Sequence, residues 1–310
     1  MNQDISICVL TENEMGWTEP FELDEVQILD TYYLAAQKSD IAFLKKMDTA
    51  RLLAGFRTTA GIDTKGVRPY GGWEDSLLGG HCVGHYLTAI AQAVKATGDE
   101  ELKEKSQVLI EGLEECQRKL GTGFLFGAKV EDKEDVEKQF DILEGKKKGE
   151  TWVPWYNMHK VLAGLIDTYK YTENETALLI AEKLGDWIYE RVSKWDLKTN
   201  QKVLETEYGG MNDCLYELYS YSHNKHHLEA AQKFDEKALF LMAAKGEKNC
   251  LDGKHANTQI PKFIGAIKRY NVLKQLGEAK QDDEAYLADA EKFFEMVVKR
   301  HSFVTGGISV

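Results

Sequence analysis

The stretch Gly79-Gly-His-Cys-Val-Gly-His-Tyr-Leu-Thr-Ala-Ile-Ala-Gln-Ala-Val-Lys95 places a polar, glycine-rich cluster directly before an apolar helical run. A turn at Thr97-Gly-Asp99 ends that run, and a second helical pattern follows from Glu101 to Leu120. The same order returns three times. Trp155-Tyr-Asn-Met-His159 precedes a run over Val161 to Tyr171, a turn at Thr172 to Asn174, and a partner over Ala177 to Trp195. Gly209-Gly-Met-Asn-Asp213 precedes Cys214 to Tyr221, a turn at Ser222 to Asn224, and a partner over Leu228 to Ala244. His255-Ala-Asn-Thr-Gln-Ile-Pro261 precedes Ile260 to Leu276, with Pro261 suited to a first helical turn. A turn at Lys280 to Asp283 and a partner over Ala285 to His301 complete the fourth unit.

Stacked helix pairs of this kind are the mark of an all-α solenoid or toroid. Parallel inner helices gather their N-termini at one end, so four distant clusters are expected to line one pocket. Two further helical runs, within Asp24 to Phe43 and Phe43 to Leu53, bring the expectation to about five pairs. An (α/α)6 barrel has six, so residues 1–310 read as a single α/α-barrel catalytic domain, incomplete at the C-terminus. The Gly306-Gly307 turn should lead into a final pair.

Only four prolines occur, and apolar residues recur at three- and four-residue intervals, as helices require. The net charge of −12 argues against a duplex nucleic-acid partner, which needs a basic surface. No stretch approaches the roughly 20 apolar residues of a membrane span. Met1 to Leu10 has no secretory pattern, so a cytoplasmic location is expected. Five scattered cysteines, Cys8, Cys82, Cys116, Cys214 and Cys250, form no Cys-x-x-Cys pair and read as reduced thiols. The charged stretch from Glu131 to Gly149 reads as a solvated excursion at the barrel rim, or otherwise as a lid.

The clusters supply what sugar recognition needs: hydrogen-bonding groups for hydroxyls and aromatic faces for the ring. The polar set is His85, His159, Asn212, Asp213, His255, Asn257, Thr258 and Gln259; the aromatic set is Trp73, Trp152, Trp155 and Tyr156. Helix capping is the plainer reading of any one of the polar residues. Of the acids near the clusters (Glu74, Glu205, Glu207, Asp213 and Asp252), Glu74 and Asp213 are the candidates for acid/base work. Cys82 and Cys214 are read as structural, and His226-His227 as surface.

Five motifs in one order carry a resemblance. They are Pro69-Tyr-Gly-Gly-Trp-Glu74, Gly84-His-Tyr-Leu-Thr-Ala89, Trp155-Tyr-Asn-Met-His-Lys-Val-Leu-Ala-Gly-Leu165, Gly209-Gly-Met-Asn-Asp213 and His255-Ala-Asn-Thr-Gln-Ile-Pro-Lys262. From about Phe56 onward the chain resembles the β-L-arabinofuranosidase family, glycoside hydrolase family 127. The resemblance implies an (α/α)6 barrel followed by β-sandwich domains, and retaining hydrolysis of terminal β-L-arabinofuranosides from plant cell-wall glycans. His85, His159, Asn212, His255 and Gln259 match motif positions and become sugar-contacting candidates, while Asp213 stands where relatives often have Glu.

The resemblance further implies a nucleophilic cysteine thiolate held on zinc by Glu-x-Cys and Cys-Cys ligands. The sequence contains no Cys-Cys pair, and its one Glu-x-Cys, Glu114-Glu115-Cys116, comes long before the Gly306-Gly307 turn that the family's ligands follow. No nucleophile or zinc ligand is therefore assigned, and the chain alone is expected to be inactive and to self-associate through the open gap in its ring. Two other readings stay open: a sugar epimerase or unsaturated-uronide hydrolase, favoured by activity in the presence of chelator, and a helical-repeat binding protein. Partner binding that survives loss of His85, His159 and His255 would favour the latter.

Overall fold

The computed structural model describes residues 20–130, 132–247 and 250–308. The readings above for Met1 to Leu10, Cys8 and Glu131 lie outside the described residues. Among those described, every regular element is helical.

In chain order the helices are α1 (Thr31–Lys46), α2 (Thr49–Thr59), α3 (His81–Thr97), α4 (Glu100–Leu120), α5 (Lys138–Leu143), α6 (Pro154–Thr172), α7 (Glu175–Val192), α8 (Leu197–Leu204), α9 (Met211–Ser222), α10 (Lys225–Lys233), α11 (Lys237–Ala244), α12 (Ala256–Gln275) and α13 (Gln281–Met296). Asp30, Asp48, Asp99, Asn174, Asp196 and Asn224 each accept a backbone N–H at a helix start, which supplies the missing partners of the first turn. The neighbours in contact alternate in two layers. Helices α3, α6, α9 and α12 pack side by side as the inner row, and α4, α7, α10 and α13 lie outside them. This is the expected all-α toroid.

The closest approach in the inner row follows from two glycines. A Cβ on Gly84 would lie 1.9 Å from the Lys160 carbonyl oxygen, and one on Gly164 would lie 2.4 Å from that of Gly84. With no side chains between them, α3 and α6 meet backbone to backbone. That contact sets His85 beside the start of α6.

A main core runs from α2 to α10, including a fully buried aromatic group of Phe124, Phe126, Phe140, Trp155 and Phe234. Helices α11, α12 and α13 enclose a second core around Phe240, Phe263 and Phe293. Three details differ from the sequence expectations. The outer helix expected over 228–244 is broken at Phe234 to Glu236, because buried Asp235 accepts from Tyr216 Oη at 2.7 Å and Arg269 Nη1 at 2.6 Å. Pro261 lies inside α12, which starts five residues earlier at Ala256. His227 is buried, its Nδ1 2.7 Å from Ser222 Oγ, and only His226 lies toward the surface, stacked on Tyr189.

The charged excursion between α4 and α6 is tied down. Buried Arg191 of α7 donates to Glu137, Asp141 and Glu144 at 2.9, 2.5 and 2.6 Å. A guanidinium offers fork geometry for several carboxylates at once, so one residue anchors the whole segment.

Candidate active site

At the N-terminal end of the inner row, the turn before α3 is built on Glu74. Gly80, at φ +93°, takes a conformation that an L side chain would strain, and it points its N–H at Glu74 Oε2 at 2.8 Å. Cys82 N–H donates to Oε1 at 3.2 Å, and His81 Nδ1 lies 2.9 Å from the same oxygen. Burial works against ionisation of Glu74, but His81 and the two N–H groups hold its carboxyl below the usual range. Both oxygens of Glu74 are committed to this turn, so its present role is to hold the start of α3. Burial likewise disfavours the charged form of His81, yet Cys82 and Glu74 carry it up to about 10.

Asn157 of α6 donates to the Gly79 carbonyl and joins the first two clusters. His159 is buried, and its Nδ1 accepts the Gly210 N–H at 3.0 Å, which joins the second cluster to the third. That bond requires the proton on Nε2, and burial holds the imidazole well below its ordinary value, hence neutral. His85 is exposed by area, but enough protein surrounds it that burial, with Lys160 and His81 nearby, pushes it down to about 4. Burial also lowers Lys160. Tyr156 Oη accepts from Asn257 Nδ2 at 3.2 Å, bringing in the fourth cluster, and Lys160 Nζ lies 4.9 Å from the Tyr156 ring. Trp73 and Trp152, both exposed, stand with ring centroids 5.3 Å apart in the segments that lead into α3 and α6.

The structure therefore brings Trp73, His85, His159 and Asn257 to one end of the barrel, with Trp152 and Tyr156 from the aromatic set, while exposed His255 opens α12 at the same end. Other expected site residues sit elsewhere. Trp155 is fully buried among Phe140, Trp195 and Phe234, with no face open to a sugar. Asn212 is fully buried against Gly265, donating to the Lys262 carbonyl at 3.0 Å. Thr258 is buried in the first turn of α12, where its hydroxyl donates back to His255 O at 2.8 Å. Gln259 faces a cleft shared with Phe293 and His301 of the outer layer.

Asp213 lines a cavity of about 110 Å³ between α6, α9 and α12, with Asp167, Lys170, Glu217 and Lys268. Burial, with Glu217 and Asp167 nearby, raises its carboxyl to about 6 despite Lys268 and Lys170. Its Oδ1 has no hydrogen-bond partner among the described residues. Sequence reading missed Lys160, Asp167 and His81. The first two lie within apolar runs where only the helical register shows that they face inward. For His81, the His-Cys-x-x-His spacing was the available signal.

One carboxylate oxygen of Glu74, one nitrogen of His81 and the sulfur of Cys82 lie within 4.8 Å of one another, a group able to hold a metal ion. It is neither the Glu-x-Cys nor the Cys-Cys pattern implied above. Cys116, Cys214 and Cys250 are separate buried thiols, with burial pushing each pKa up.

Residues 25–310 match the family model described as β-L-arabinofuranosidase, GH127 catalytic domain. Among solved structures, a GH127 β-L-arabinofuranosidase from Geobacillus stearothermophilus T6, Ara127N, is similar at TM-score 0.52 and 18% identity, over 89% of this chain and 43% of that one. The GH127 β-arabinofuranosidase BT3674 is similar at TM-score 0.58 and 15% identity, over 93% of this chain and 45% of that one. The chain thus spans under half the length of these structures. No curated protein matches it.

Proposed function

Because the chain belongs to the GH127 β-L-arabinofuranosidase family, we propose that its helical mouth binds the terminal β-L-arabinofuranosyl group of plant cell-wall glycans for retaining hydrolysis. The observation that carries this reading is the meeting of all four clusters at one end, where His159 accepts from Gly210 and Asn257 donates to Tyr156. Neutral imidazoles, amides and a phenol suit hydroxyl groups, and the Trp73–Trp152 pair offers an aromatic face to the furanose. Asp213, which lines the cavity between α6, α9 and α12 with Oδ1 unpartnered and its carboxyl raised to about 6, is the group suited to exchange a proton near neutral pH if the sugar reaches that cavity from the mouth.

The zinc-bound thiolate of the family finds no fit in these residues, because no Cys-Cys pair occurs and the cysteine of the one Glu-x-Cys, Cys116 of Glu114-Glu115-Cys116, is fully buried in the main core as a free thiol. We read residues 1–310 as the sugar-binding part of the barrel domain, with the last helix pair and β-sandwich domains belonging to the rest of the enzyme. Scattered free thiols fit the reducing cytoplasm as its compartment.

Calorimetric titration with methyl β-L-arabinofuranoside tests the reading, alongside release of L-arabinose from the p-nitrophenyl glycoside. Saturable binding without turnover is expected. Trp73→Ala should weaken it about 5-fold, since an aromatic contact contributes about 1 kcal/mol. No binding, or binding indifferent to both Trp73→Ala and His159→Ala, would overturn it.

A further inference from the structure

The start of α3 carries donors that sugar binding leaves unexplained. His81 Nδ1 lies 2.8 Å from the Leu78 carbonyl and 2.9 Å from Glu74 Oε1. An ionised carboxylate and a carbonyl can only accept, so Nδ1 carries a proton and Nε2 is the ring atom turned to Cys82. The sulfur lies 3.8 Å from Nε2. With Zn–S near 2.3 Å and Zn–N near 2.0 Å, the sulfur–nitrogen edge of a zinc tetrahedron is about 3.5 Å, so the two atoms stand close to ligating distance. Glu74 on the far nitrogen is the outer partner that fixes ring orientation and tautomer at metal-bound histidines.

His85 follows one turn later on the same helix. Its ring centroid is 6.1 Å from that of His81, and its imidazole has no hydrogen-bond partner among the described residues. Cys82 is half-buried, whereas Cys116, Cys214 and Cys250 are buried. Sulfur and imidazole donors select a zinc-class ion over magnesium or calcium.

We propose that His81 Nε2 and Cys82 Sγ bind a zinc-class divalent cation at the mouth of the barrel, held in place by Glu74 and completed by His85 and water. The ion takes the place of the proton between Nε2 and Sγ, so binding releases protons. Its ligands come from one helix start and involve no Cys-Cys pair. The site is independent of which sugar the mouth accepts.

Cobalt(II) titration of the purified, reduced chain tests this without any activity assay. One cobalt per chain should bind, with a near-ultraviolet sulfur-to-cobalt charge-transfer band that zinc abolishes. Cys82→Ser should remove the band, and Cys116→Ser should keep it. Glu74→Gln should weaken cobalt binding about 10- to 100-fold, as loss of an outer partner does. Circular dichroism confirms that each variant is folded, and His85→Ala, at an exposed position, tests the site where a Glu74 variant fails to fold. Absence of the band in the folded wild-type chain, or its survival in Cys82→Ser, would overturn the proposal. Sugar binding can fail while the band persists, so the two readings fail separately.

Discussion

Gly84→Ala is the sharpest test of how the inner row is assembled. Helix propensity alone favours the change by about 1 kcal/mol, because alanine is the better helix former. Packing opposes it. The added Cβ would lie 1.9 Å from the Lys160 oxygen, 2.1 Å from its carbonyl carbon and 2.7 Å from Val161 N, all backbone atoms with no rotamer to escape into. Ordinary contact begins near 3.4 Å, so α3 and α6 must part by about 1.5 Å there, opening the core on both sides. Overpacking costs about 1–3 kcal/mol where side chains can adjust, and a backbone clash belongs at or beyond the top of that range. The net loss is then about 2 kcal/mol or more, and a domain of this size loses roughly 2–4 °C of melting temperature per kcal/mol. A fall of at least about 4 °C is expected in a thermal melt followed by far-ultraviolet circular dichroism. Gly71→Ala is the control, since nothing lies within 4 Å of its added Cβ and its φ of −72° suits any residue. A Gly84→Ala chain melting at or above wild type would refute the close-contact account.

Two further outcomes follow from named residues. Asp213 has its folded-state carboxyl raised from 3.8 to about 6, so the folded chain binds the extra proton between those values. Its contribution is full below about pH 4 and is lost as pH rises through about 6. Asp213→Asn should therefore gain stability relative to wild type as pH climbs from 4 to 7, by about 1–3 kcal/mol. The difference between the two melts isolates this from Glu217 and Asp141, whose lowered values act in the opposite direction; a constant difference across the range would refute it. Ile264, Phe294, Val298 and Phe303, on or just after α12 and α13, are each exposed apolar residues, and self-association of the chain through them is the expected outcome. Light scattering after size exclusion should show a species heavier than the 35.2 kDa chain, shifted toward monomer by Phe294→Ser with Val298→Ser; a monomeric wild type would refute it.

The helices were legible because apolar spacing and capping residues agree. Asp99, Asn174 and Asn224 mark both the turns seen in the sequence and the outer-helix starts found in the structure. Individual site residues were less legible for a physical reason. A cluster at a helix start contains residues on every face of the first turn, and only the register decides which enter the mouth. Within Trp155-Tyr-Asn-Met-His159, Tyr156 meets Asn257 across the mouth while Trp155 turns into the aromatic core. Asn212 and Asp213 are adjacent, yet one locks α9 to α12 and the other lines a cavity. The break at Asp235 was invisible because Tyr216 and Arg269, its partners, come from other helices.

The electrostatics of the mouth bear on which sugars it suits. Burial holds His159 neutral and pushes His85 down to about 4, so neither offers a fixed positive charge at neutral pH. The charge on His81 is matched by Glu74 at 2.9 Å, and Lys160 is itself weakened by burial. An anionic uronide needs an unpaired cation to offset the cost of desolvating its carboxylate, and the side chains of the mouth, without a bound metal ion, supply little. A neutral furanose carries no such cost. Its hydroxyls need donors and acceptors that stay neutral across the physiological range, and buried imidazoles, an amide and a phenol meet that need. The burial that silences the histidines as acids or bases is therefore what suits them to an uncharged sugar.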